Sequence, residues 1–307
     1  MGICIFCEKN KELTSEHIVP EFLGGTLEFK SVCKSCNSKM GNSFEGNLAN
    51  SIFFKMPRYL YNIQGKAKQV KFPFSGSYEL DNFGRVGVGA DGTLTTFSSV
   101  KIEETGENVE IKVSLDPKEL HGGRNLLAKG ITRHLRKKGI IIDKDKLSEF
   151  TNNFFEKENT KYQRIQNPEL QTDFELNIND FRLLYTKIAY EIACFHFGNN
   201  YMVDPTANIL RQSLCNQDIS RHIQVQIPIM YDQIENFFED TYHWVLLLGN
   251  LCCIKLFGIS GQLQYTSRNS LFREEKGFVY KFYYTPNRFC EKLFFSEHLL
   301  STCFELM

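Results

Sequence analysis

Cys4-Ile5-Phe6-Cys7 and Cys33-Lys34-Ser35-Cys36-Asn37 enclose Ser15-Glu16-His17-Ile18-Val19-Pro20 and Leu23-Gly24-Gly25 in one short N-terminal stretch of a 307-residue chain. Two CxxC hooks supply four thiolates, two on each tight turn, and that is the donor set of a closed tetrahedral zinc site. The gap between Cys7 and Cys33 is wider than a simple zinc ribbon needs, so further structure is built inside it. A redox pair is the alternative reading, but neither hook sits in a βαβ pattern. Cys4, Cys7, Cys33 and Cys36 are therefore expected to hold a structural zinc, closed to substrate and not itself the catalyst.

The rest of the composition narrows the class without naming an activity. Hydrophobic residues make up 42% and charged residues 23%, ordinary for a globular protein. Lys plus Arg is 36 and Asp plus Glu is 36, so the net charge is zero and any contact with a polyanion must come from a local patch. No apolar run reaches the roughly twenty residues of a membrane helix, so no membrane partner is expected. The N-terminus carries no basic segment followed by a long apolar run, so the expected compartment is the cytoplasm. Of the ten cysteines, the six outside the hooks (Cys194, Cys215, Cys252, Cys253, Cys290 and Cys303) lie in largely apolar surroundings and are read as small buried hydrophobes.

Periodicity divides the chain further. Residues 70–74, 85–88, 94–97 and 109–115 are expected strands, separated by turns such as Asp91-Gly92. Helical spacing is expected over 117–138, 144–158, 179–197 and 205–215, with Gly139 and Gly198 as stops and Pro205 in a first turn. Five further strands are expected over 223–227, 244–248, 251–257, 262–265 and 278–284. The fold class is α+β: a zinc-stapled N-terminal module over 1–64, then a larger mixed α/β domain over 65–307 with antiparallel strands and helices.

The pattern CxxC…EHIVPxxLGG…CxxCNxxxG resembles the HNH endonuclease family (the ββα-metal or His-Me finger fold), in its zinc-hook subgroup. The resemblance covers about residues 4–50. It implies a metal-dependent hydrolysis of phosphodiester bonds. In that role His17, on a strand, is the general base; Glu16 and Asn37, the latter on the following helix, hold one catalytic Mg²⁺ or Mn²⁺. Glu45 is a further candidate near that cation, its alternative being a solvated face, and it is expected on the same helix as Asn37. The sequence departs from the family pattern in having Glu16 where Asp is common and Asn37 where His is common. The middle Asn, which orients the histidine, is missing; Glu28, Ser31 or a backbone carbonyl must take its place.

The resemblance implies nucleic acid, DNA above all, as substrate, in the manner of a restriction or anti-phage defence effector. Lys39 near the module, and Arg133, Arg136 and Lys137 in a basic cluster, are candidate phosphate contacts; a solvated face is the plainer reading for any one of them. Other basic residues near the module are Lys30, Lys34, Lys55, Arg58, Lys66, Lys68 and Lys71. The segment 187–211 resembles the helical part that follows zinc-hook HNH modules, which implies a DNA-positioning part, or a regulatory or dimerising one with a homodimer, an activating ligand or a partner protein. The rival reading is a catalytically inactive zinc-containing nucleic-acid-binding or sensor protein, supported by the missing Asn and opposed by intact Glu16, His17 and Asn37.

Overall fold

The computed structural model describes residues 1–65, 70–80, 84–106, 108–156, 169, 171–219, 224–227, 241–272, 274–284 and 288–295. Lys66, Lys68 and Cys303, and parts of the elements expected over 144–158 and 223–227, lie outside the described residues. The fold is a mixture of helices and antiparallel sheets, as the α+β pattern implies. The chain divides into two compact units, Met1–Val70 with Phe174–Met307, and Lys71–Asp173.

The first unit opens with a two-residue hairpin, β1 (Gly2–Ile3) and β2 (Asn10–Lys11), around the first cysteine hook. Two longer antiparallel strands follow, β3 (Leu13–His17) and β4 (Glu28–Cys33), with a bulge between Thr14 and Ser15. Cys33 ends β4 and caps α1 (Lys34–Gly41), so the second hook spans the strand-to-helix junction. The chain then breaks at Asn42 and continues as α2 (Phe44–Asn50) and α3 (Ile52–Leu60). Asn37 and Glu45 are thus on different helices, not on one as their spacing suggests. Gly41, Asn42 and Ser43 explain the break, since all three are poor helix formers and compete for other backbone geometry.

The second unit holds a three-stranded antiparallel sheet, β5 (Gly76–Leu80), β6 (Gly84–Val88) and β7 (Leu94–Thr96), and a hairpin of β8 (Ser99–Thr105) with β9 (Asn108–Ser114). The strand expected over 70–74 is absent; Pro73 cannot donate to a ladder, and pairing begins only at Gly76. The expected helix over 117–138 is a 3-10 turn to Gly122 followed by α4 (Gly123–Lys137), and α5 spans Lys144–Glu156. Two adjacent glycines, 122 and 123, account for the late start.

Returning to the first unit, α6 (Ile178–Phe197) is capped by Asn177, whose side chain accepts from the Asn179 amide, and α7 (Pro205–Asn216) by Asp204 in the same manner. From Leu183 to Cys194 every residue of α6 is buried, so this helix has no solvent face along that length. It lies against a six-stranded antiparallel sheet with order β10 (Val225–Gln226), β13 (Ile259–Gln264), β12 (Leu251–Leu256), β11 (Tyr242–Gly249), β14 (Glu274–Tyr283), β15 (Phe289–Phe295). Val245, Leu247, Cys252, Ile254 and Tyr280 on one face of that sheet share a core with α6 and with Ile5, Ile18, Val32 and Phe54 of the N-terminal segment. Close approach of helix and sheet needs Gly261, where a Cβ would lie 2.7 Å from the Tyr185 ring. Among the described residues, no helix is long and apolar enough to cross a membrane.

Candidate active site

The two hooks converge. The four thiol sulfurs of Cys4, Cys7, Cys33 and Cys36 lie within 4.8 Å of one another, and Cys7 Sγ and Cys33 Sγ are 3.8 Å apart. A tetrahedron with metal–sulfur bonds of about 2.3 Å has edges of about 3.8 Å, so the cluster fits a structural zinc. Burial raises the Cys4 thiol and, together with the like charges of its neighbours, the Cys36 thiol. Cys33 is also pushed up by burial, but hydrogen bonds from Ser35 and the Cys36 amide prevail and bring it to about 6. Four thiolates held this close repel one another unless a cation sits between them, which is the electrostatic case for a metal here.

Residues far along the chain clamp the first hook. Tyr190 Oη on α6 donates to the Ile5 carbonyl at 2.6 Å, and Cys215 Sγ on α7 donates to the Phe6 carbonyl at 3.4 Å. Arg211 on α7 pairs with Glu8 at 2.8 Å. Lys39, the exposed candidate for a phosphate contact, donates to the Cys215 carbonyl at 2.6 Å, at the end of α7, where cations are favoured.

Between the hooks, β3 delivers Glu16 and His17. Consecutive residues in a strand project to opposite faces. His17 faces its cross-strand partner Glu28, with Nε2 3.5 Å from Oε1. The His17 side chain is 27% exposed, so water can reach it. Of the three stand-ins for the missing Asn, Glu28 is the one set against the ring; Ser31 is buried, and its hydroxyl has no partner among the described residues. The loop after His17 is shaped by its glycines: Gly24 has φ +87°, and a Cβ on Gly25 would lie 1.8 Å from the Val19 carbonyl oxygen. His243, on β11, secures the same loop by donating from Nε2 to the Leu23 carbonyl at 2.9 Å while Nδ1 accepts from the Phe257 amide. Its burial holds it at about 4, so it is neutral.

Asn37, in α1, lies against β3. Its amide nitrogen donates to Thr14 Oγ1 at 3.4 Å and to the Ser15 carbonyl at 3.5 Å. Thr14 Oγ1 spends its own proton on the Val32 carbonyl, so it must accept from Asn37. That orientation leaves the Asn37 carbonyl oxygen as the group turned away from the strand.

Glu16 points the other way, to α6, and finds a residue that the sequence reading passed over. Lys187, 0% exposed, places Nζ 2.9 Å from Glu16 Oε1, 3.1 Å from Glu45 Oε1 and 3.0 Å from Glu191 Oε2, and donates to the His17 carbonyl at 3.2 Å. Burial alone would lower Lys187, but Glu191, Glu45 and Glu16 outweigh it and hold the ammonium charged. Burial raises the Glu191 carboxyl well above its ordinary value. Glu45 is therefore not solvated: it is buried, and its Oε1 faces an ammonium. The clue in the sequence was a Lys and a Glu four residues apart within the largely apolar run Leu183–Cys194 of a helix; such a pair is buried with its neighbours, and a buried pair needs partners.

The basic cluster belongs to the other unit. Arg133, Arg136 and Lys137 are exposed on α4, while His134 and Lys138 pair with Glu104 on β8.

No curated protein and no solved structure matches the chain. Residues 4–53, which hold both cysteine hooks with Glu16, His17 and Asn37, match the family model of the HNH endonucleases, and within that stretch the four cysteines are gathered as a candidate zinc site.

Proposed function

We propose that this protein is a metal-dependent endonuclease that hydrolyses phosphodiester bonds of nucleic acid, with DNA the first substrate to test. The observation that carries this reading is His17: partly exposed at the end of β3, with Nε2 against the Glu28 carboxylate. A carboxylate at Nε2 keeps the proton on that nitrogen and leaves Nδ1 as the acceptor. His17 then takes a proton from an attacking water. The water oxygen bonds to phosphorus, the bond from phosphorus to the 3′ oxygen breaks, and the departing oxygen takes a proton from solvent.

Glu16 and Asn37 supply oxygen donors suited to Mg²⁺ or Mn²⁺. Asn37 turns its carbonyl oxygen away from β3, and Glu16 keeps 12% exposure although its Oε1 is bound, which supports reading the two as donors to a hard cation. When bound, such a cation stabilises charge on the phosphate and on the leaving oxygen. Arg133, Arg136 and Lys137 are proposed as phosphate contacts of the second unit, where their exposure supports the reading and the last-turn position of Arg136 and Lys137 on α4 offers the plainer one.

The test is plasmid cleavage by the purified protein with Mg²⁺ or Mn²⁺. EDTA is expected to abolish cutting, and His17→Ala to slow it by roughly 10²–10⁴-fold, the usual worth of a general base. A wild type that binds DNA without divalent metal and cuts neither DNA nor RNA would sink the proposal in favour of an inactive zinc-containing binding protein.

A further inference from the structure

Lys187 stands where four oxygens meet: carboxylate oxygens of Glu16, Glu45 and Glu191 and the main-chain carbonyl of His17, all within 3.2 Å of one nitrogen. Three features make this more than a satisfied ion pair. The first is its place. Lys187 touches both members of the Glu16-His17 pair, one through the side chain and one through the backbone, and nothing else bridges α6 to the tip of β3 in this way among the described residues. The second is its anchoring. Lys187 Nζ is also held by Glu191, one turn along the same helix, and by Glu45 on α2, so its position does not rest on Glu16 alone. The third is its cost. Replacing a buried charge cluster by apolar side chains is often neutral or stabilising, so packing alone does not explain why a helix buried from Leu183 to Cys194 carries one.

We propose that Lys187 is the positioning residue of the site: it pins Oε1 of Glu16 and the His17 carbonyl, fixing the direction in which Glu16 presents its second oxygen to a divalent cation. The inference rests on the nuclease reading only for the purpose of that cation. Partners that orient a metal-binding carboxylate are worth about 10- to 100-fold in metal affinity. Lys187 is fully buried and so does not touch the substrate itself.

The experiment is Mn²⁺ titration of the zinc-saturated, substrate-free protein, read from the paramagnetic signal of free Mn²⁺. Lys187→Met alone leaves the buried carboxyl groups of Glu45 and Glu191, and the half-buried one of Glu16, without their cation and can unfold the chain. The decisive comparison is therefore Lys187→Met/Glu191→Gln, which removes the pair within α6 together, against Glu191→Gln, which keeps the ammonium. Both are checked by thermal unfolding and bound zinc. The expected result is Mn²⁺ affinity at least about tenfold weaker in the double variant than in Glu191→Gln. Equal affinity in the two variants would reduce Lys187 to a packing element. Tighter binding in the double variant would mean that the ammonium competes with the metal for Glu16, and would overturn the proposal, as would a wild type that binds no Mn²⁺. Cutting is scored separately: wild-type cleavage with no effect of Lys187 on Mn²⁺ defeats this inference alone, whereas Lys187-dependent Mn²⁺ binding without cleavage defeats only the nuclease reading.

Discussion

At the scale of single residues, the neighbourhood of His17 is set by side chains whose protonation is dictated by burial. His243 is one of them. Its folded value is about 4 against 6.5 when exposed, because burial penalises the charged ring more than its bond to the Leu23 carbonyl supports it. Between those two values the unfolded chain binds a proton that the folded chain refuses. The stability that His243 contributes is therefore complete above about pH 6.5 and is lost as pH falls towards 4, up to about 3 kcal/mol in all. Urea unfolding of wild type and His243→Phe at pH 7 and pH 4 checks this. The variant is expected to lose less stability than wild type between the two, and an identical loss would show that His243 does not carry the effect. His17 and Asn37 were legible as single residues because the pattern around them is local. The role of Glu28 needed the register of β3 on β4, which sets it directly across from His17.

At the scale of elements, the first hook is expected to take its shape from a bound zinc. β1 and β2 are two residues each, far too short to hold a hairpin by pairing alone. Chelation of the zinc, or Cys33→Ser, is expected to free the hook and lower the melting temperature of the protein by roughly 10 °C, a loss of a few kcal/mol. Metal analysis should give one zinc per chain in the wild type. An unchanged melting temperature in the metal-free protein would mean that Tyr190, Cys215 and Arg211 hold the hook without it. At this scale the long periodic elements were readable: α6, α7 and strands β11, β12 and β14 fall near their expected places. The missed ones have physical reasons. The hairpin partner β8 alternates Val100 and Ile102 with Lys101 and Glu103 in a stretch too polar to stand out. Residues 34–60 contain three short helices with breaks at Asn42 and Ser51, where spacing alone suggests continuity.

At the scale of the whole molecule, the first unit is assembled from the two ends of the described chain, and among the described residues its core draws no buried residue from 71–173. Replacing that segment by a flexible linker is expected to leave the remaining unit folded, with its melting temperature within a few degrees. Loss of cooperative unfolding in the deletion would show that 71–173 is needed for the fold of the rest. The sequence by itself determined the pairing of the cysteine hooks, the match of their surroundings to the HNH endonuclease pattern and the α+β class, because each is written in neighbouring residues or in a short period. Only the tertiary structure decided that Lys187 reaches Glu16 and Glu45, and that Tyr190 and Arg211 brace the first hook. Those contacts join residues more than 130 positions apart, through a helix buried on every side, and a buried charge reveals its partner only once the chain has folded around it.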